Sequence, residues 1–189
     1  MGSTDGAGDV ANPWETENQT RGPQPFATSY VKSKGEPLVY GGLVMAVFFI
    51  VASVASGAPE YAASALVPLA VAFWFYPMID TRHPQLGANG DGLFVERIGF
   101  INWASISSFG IFETSVRNIA LRRLQVTLNC PLAEAVAKPQ KVPFWKMAMS
   151  RNWSRHTLEN GAERIDIELH PLRGTPEDIL NRVRAYRNV

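Results

Sequence analysis

The sequence predicts a two-helix membrane hairpin followed by a small α+β domain, and three observations predict it. Two runs without a charged residue follow one another near the N-terminus, at residues 37–58 and 61–78. Beyond His83 the apolar residues fall into short runs separated by turn signals, which is the pattern of strands. The chain then closes on a proline-initiated amphipathic segment, residues 175–187, expected to be a helix packed on a sheet.

Residues 1–36 are rich in Gly, Thr, Asn and Pro and poor in aliphatics. Such a composition buries too little surface to offset chain entropy, so residues 1–36 are expected to form a disordered tail, with Trp14, Phe26 and Tyr30 as its only anchors. Residues 37–58 can cross a hydrocarbon core of about 30 Å at about 1.5 Å per residue, and residues 61–78 are close to the minimum for doing so. The link Pro59-Glu60 is short enough to force an antiparallel return, which defines a hairpin over residues 37–80. Phe73, Trp74, Phe75 and Tyr76 fall where an interfacial aromatic belt is expected, with Tyr40 at a similar depth. Gly42 and Ala46, then Ala52 and Ser56, recur four apart as close-approach candidates. Neither run holds an ionisable residue, which argues against proton relay or ion coupling within this chain.

Residues 81–189 form the second domain. Residues 85–88 and 93–98 flank Asn89-Gly90-Asp91-Gly92, a tight-turn signal, and residues 100–107, 109–114 and 124–129 continue a β-meander, the last through alternating Leu124, Val126 and Leu128. Residues 131–137 read as a helical turn with Pro131 at its first position. Residues 138–161 are polar and irregular, an expected insertion before a last strand at residues 164–169. In the final helix Thr175 is the N-cap, Glu177 and Asp178 face the positive end of the dipole, and Ile179, Leu180, Val183 and Tyr186 form one stripe.

This order resembles the small bacterial two-span membrane proteins that carry a C-terminal pleckstrin-homology-like (PH-like) domain. The residues that carry the resemblance are Gly92-Leu93, the run from Gly99 to Ile106 with its Gly-Phe-Ile-Asn-Trp, and the ending Ile165 to Leu169 with Thr175-Pro176-Glu177-Asp178-Ile179-Leu180. The resemblance implies a β-barrel or sandwich of two sheets closed by the C-terminal amphipathic helix, used to bind lipids, peptides or protein surfaces at the inner membrane. Trp103 is then a core residue between sheet and helix. Members that bind phosphoinositides rely on Lys and Arg around the first hairpin, whereas the turn here holds Asp91 and no base, which argues against inositol phosphates at that place.

No catalytic constellation stands out. His83, His156 and His170 are scattered without ligand spacing, the lone Cys130 favours a reducing compartment, and neither a nucleophile elbow nor a phosphate loop is present. No cofactor or metal is expected, and the chain is read as a non-enzyme. The net charge of +1 divides into −4 for residues 1–80 and +5 for residues 81–189. A nearly neutral whole with a membrane tether is a poor match to nucleic acid.

The segment with functional character is residues 138–156, KPQKVPFWKMAMSRNWSRH. Lys138, Lys141, Lys146, Arg151 and Arg155 alternate there with Phe144, Trp145 and Trp153, without an acid between them. Cations beside amphipathic rings suit an anionic bilayer surface, so Lys138, Lys141, Trp145, Lys146, Arg151, Trp153 and Arg155 are the candidate residues for binding anionic lipid or a membrane-protein partner. Two functions follow: a membrane-anchored binding module, possible as a homo-oligomer, or an accessory subunit of a larger integral membrane complex.

Lys32, Lys34 and Arg82 flank the two runs while the link offers only Glu60, so the positive-inside rule puts both termini in the cytoplasm. With Cys130 first changed to Ser, Ser33→Cys is expected to resist an impermeant thiol reagent in intact cells and Ala58→Cys to react; the reverse pattern overturns the orientation.

Overall fold

The computed structural model describes residues 23–116, 119–159 and 161–187. Helix α1, Lys32–Ser56, is 25 residues long, or about 37 Å, and ends at Gly57 in the left-handed conformation that glycine adopts without penalty. The return is broken into α2, Pro59–Ser64, and α3, Leu66–Phe75, which runs into a 3-10 turn at Tyr76–Met78. Lys32–Ser56 and Pro59–Met78 are both long and apolar enough to cross a membrane. Only 11% of the most apolar stretch of each is buried, unlike a core helix, and side chains such as Val54 (81%) and Val67 (70%) stand open.

The two arms meet through small residues. Ala46, Ala65 and Ala72 are buried, and a Cβ on Gly42 would come within 2.7 Å of the Pro68 carbonyl. The Gly42/Ala46 repeat seen in the sequence therefore lies in the helix contact, whereas Ser56, the end of the second repeat, is exposed.

Nine strands occur among the described residues, in two antiparallel sheets. The first sheet has the order β1-β2-β3-β4-β7: Phe26–Thr28, Leu86–Asn89, Gly92–Val95, Gly99–Ile101 and Val136–Pro139. The second has the order β5-β6-β9-β8: Ile106–Val116, Ile119–Leu128, Glu163–Glu168 and Trp153–Thr157. Asn89 Oδ1 closes the predicted turn by accepting from the backbone N–H groups of Asp91 (2.9 Å) and Gly92 (3.2 Å). Gly99, at φ 107°, lets β7 lie against β4, because a Cβ there would stand 2.1 Å from the Lys138 carbonyl.

The inward faces supply one core. Leu86, Leu93, Val95 and Ile101 meet Leu124, Val126, Leu128, Ile165 and Ile167, as the alternation of 124–128 predicts. Helix α6, Pro176–Arg187, adds Ile179, Leu180 and Val183 to it, and Thr175 Oγ1 caps the helix by accepting from Asp178 N–H at 3.2 Å. Tyr186 stacks on Trp103, with ring centroids 5.7 Å apart and planes 5° apart, and Trp103 Nε1 donates to the Asn89 carbonyl at 2.9 Å.

Four sequence expectations are corrected here. Of the tail expected over residues 1–36, the described part, residues 23–36, is structured: Phe26–Thr28 pairs with β2, Tyr30 is 3% exposed, and α1 starts at Lys32 instead of residue 37. Trp14 lies outside the described residues. The strand expected over 100–107 is interrupted by a 3-10 turn at Trp103–Ser105, which Asn102 caps, and 109–114 is the middle of the single strand β5. Pro131 is the residue before the short helix α4, Leu132–Ala135, and not its first. Residues 138–161 are not an irregular insertion, because they supply the end of β7, the helical turn α5 at Phe144–Met147, and the whole of β8.

Gly42→Leu should force α1 away from α3 and cost about 1–3 kcal/mol, the usual penalty for overpacking a close contact. Thermal unfolding of the whole chain in detergent measures this, and an unchanged midpoint would mean that the arms do not rely on that approach.

Candidate functional site

Both arms are hydrogen-bonded to the β domain where they join it. At the start of α1, Val31 N–H donates to the Pro171 carbonyl (2.8 Å), Arg173 N–H to the Ser29 carbonyl (3.0 Å), and Thr28 Oγ1 to the Arg173 carbonyl (2.7 Å). The ammonium of Lys34 donates to the His170 carbonyl. At the end of the other arm a helix leaves carbonyls without partners, and Ser150 N–H fills one of them by donating to Trp74 O at 2.9 Å. The chain segment after α5 is thus bonded to the end of α3.

Arg97 holds that segment in place. It has the left-handed φ of 70°, uncommon for a non-glycine residue, and its side chain is 8% exposed. Its guanidinium donates to the carbonyls of Met149 (3.0 Å) and Ser150 (2.6 Å), while its backbone N–H donates to Gln140 Oε1 at 2.6 Å. Glu96, equally buried, lies beside it with Oε2 at 3.2 Å from Arg97 Nε, an ion contact in which neither atom meets hydrogen-bond geometry. Burial pushes the Glu96 carboxyl above its ordinary range, against the opposing pull of Arg97, Lys146 and His83. The Tyr30 hydroxyl is pushed up as well, by burial first and then by the charge of Glu96.

The loop held in this way presents α5. Phe144 is 86% exposed, Met147 72% and Trp145 42%, and Phe144 and Met147 are three residues apart, so they share a face of the turn. Trp74 and Tyr76, also exposed, belong to the arm to which the loop is bonded. An apolar turn this open, beside the end of an apolar helix, is a surface that water does not favour.

The seven residues picked from the sequence divide into two groups. Lys141, Trp145, Lys146 and Arg151 lie on or next to the α5 loop; Lys146 sits over the Trp145 ring at 5.7 Å and Arg151 over the Trp153 ring at 4.5 Å. Lys138, Trp153 and Arg155 are engaged within the domain. Lys138 bridges to Asp91 at 2.8 Å, a hydrogen bond that lowers the Asp91 carboxyl below its usual range, and so brings to the first hairpin the base that its turn lacks. Trp153 packs against the core and donates through Nε1 to the Glu96 carbonyl at 2.9 Å, and Arg155 pairs with Glu163. Met147 and Trp74 were absent from the sequence-derived set. The signal for Met147 was its spacing from Phe144, and the signal for Trp74 was its place near the end of the second uncharged run.

Because Glu96 has a raised folded-state pKa, the folded form binds its proton more tightly than the unfolded chain. Its contribution to stability is complete below the ordinary carboxylate pKa and is lost as pH rises through the raised value. Thermal unfolding followed across this window should therefore be flatter in Glu96→Gln than in the native chain, and an unaltered slope would remove Glu96 as its source.

Comparison of the chain with protein-family models, with curated proteins and with solved structures returns no match.

Proposed function

We propose that this chain is a non-catalytic, membrane-anchored binding module, with its β domain and both termini on the cytoplasmic side of the inner membrane and with the α5 loop engaging anionic lipid. The carrying observation is the bond from Ser150 N–H to the Trp74 carbonyl together with the exposure of Phe144 and Met147. If α1 and the α2–α3 arm span the bilayer, Trp74 and Tyr76 stand at headgroup depth, where aromatic rings concentrate. The bonded loop then brings Phe144, Trp145 and Met147 to the same depth, and Lys141, Lys146 and Arg151 into the negative potential of the surface. Lys32 and Lys34 at the start of α1 and Arg82 after the second arm support the cytoplasmic placement. Two antiparallel sheets over one core, with α6 contributing to it, support the PH-like reading of the domain.

The test uses the whole chain in lipid nanodiscs, with Cys130→Ser and Met147→Cys carrying an environment-sensitive fluorophore. In discs containing phosphatidylglycerol the label should emit as from an apolar setting. Added salt, or Lys141, Lys146 and Arg151 changed to Gln, should move the emission toward that of water, each cation being worth about 1 kcal/mol at an anionic surface. Water-like emission in every disc would overturn the assignment of α5 to the bilayer.

A further inference from the structure

The hairpin carries a second feature, an open groove along the seam between α1 and α3 whose lining includes Gly42 and Pro68, the residues of their closest approach. Gly42 is spent on that contact, but a Cβ built on Gly41 would meet nothing within 4 Å. Gly41 lies in an open groove of about 620 Å³, walled by Pro37, Met45 and Phe49 of α1 and by Val67 and Val71 of α3. The one hydroxyl along it, Ser64 Oγ, is already bonded to the Glu60 carbonyl at 3.0 Å, so the walls leave no side-chain polar group to be matched. From Pro37 to Phe49 the groove follows α1 for about 18 Å at about 1.5 Å per residue. Half of a ~30 Å hydrocarbon core is about 15 Å, so the groove is one leaflet deep.

The groove reaches Pro37, near the domain end of α1, and Lys34 lies three residues before it on the same helix. At helical spacing Lys34 is on the same stripe as Gly41 and Met45, seven and eleven residues further on, and it is exposed. The ammonium has three donors, of which the His170 carbonyl takes one. An apolar slot of leaflet depth below a lysine at headgroup depth matches an extended acyl chain below a phosphate, in length, in polarity and in charge.

We propose that this groove seats one acyl chain of an anionic phospholipid from the domain-side leaflet, with the phosphate held at Lys34. The inference rests on the membrane placement given above. It concerns a single retained lipid and not the surface that α5 meets.

The experiment is native mass spectrometry of the whole chain, released from nanodiscs of mixed phosphatidylglycerol and phosphatidylcholine. The native chain should carry one phosphatidylglycerol, and Gly41→Leu, which fills the groove where space is open, should carry none while keeping its helix content by circular dichroism. Lys34→Gln should keep a lipid but lose preference for phosphatidylglycerol by about fivefold, the weight of one lysine against an anionic surface. Phe144→Ala with Met147→Ala, which weakens the α5 contact, should leave the retained lipid in place. Retention by Gly41→Leu equal to the native chain overturns the proposal. So does a native dimer that Gly41→Leu converts to monomer, because the groove then takes a helix of a second copy. A native chain without lipid whose label at position 147 still reports the bilayer overturns the groove alone and leaves the α5 reading standing.

Discussion

The arrangement of the whole molecule depends on one buried cation. Arg97 accepts a left-handed backbone, and its guanidinium binds two consecutive carbonyls of a segment more than fifty residues away. Those carbonyls would otherwise need partners in a region from which water is largely excluded, and a charged donor satisfies both at once. With the segment so fixed, its next free donor, Ser150 N–H, points at the end of α3, and α5 is carried to the same place. The arms and the domain are thus joined by three sets of bonds: at the start of α1, at the end of α3, and through continuous chain from Met78 to β2. Such a joint does not pivot freely, so whatever the domain meets is met at a set height and orientation.

How much of this was legible in the sequence varies with how local the cause is. The Asn89–Gly92 turn, the 124–128 alternation and the capped final helix are decided by neighbours within a few residues and appear where the pattern puts them, and the uncharged runs fall within the two helical arms. The strand Phe26–Thr28 left no periodic trace, because it is three residues long and takes its hydrogen bonds from β2 across the whole hairpin. The segment 138–161 looked irregular for a related reason. It serves both sheets as an edge, with β7 on β4 and β8 on β9, and an edge strand turned partly to solvent is free to be polar. The 100–107 run departs from a continuous strand because Asn102 competes for the backbone and turns the chain before Trp103.

The same distinction explains the site. A cluster of cations without intervening acids looks unneutralised in one dimension, yet Lys138 meets Asp91 of the first hairpin turn and Arg155 meets Glu163 across a strand pair. Trp153 has the composition of an interfacial anchor and the environment of a core residue. What survives folding as an open surface is smaller and more apolar than the sequence suggested, centred on Phe144 and Met147 with Lys141, Lys146 and Arg151 around it.

The pairing of β1 with β2 has a consequence for how the chain is made. One of these strands precedes the hairpin and the other follows it, so if both arms cross a bilayer, as proposed, they can meet only when the hairpin returns the chain to the side it left. A polypeptide threaded once, with one arm skipped, would hold Phe26–Thr28 and Leu86–Asn89 on opposite faces of the bilayer. It would leave the edge of β2 bare and Tyr30 without its burial. On that placement, completion of the first sheet is a check on threading, written into the domain: only a chain inserted an even number of times can close it.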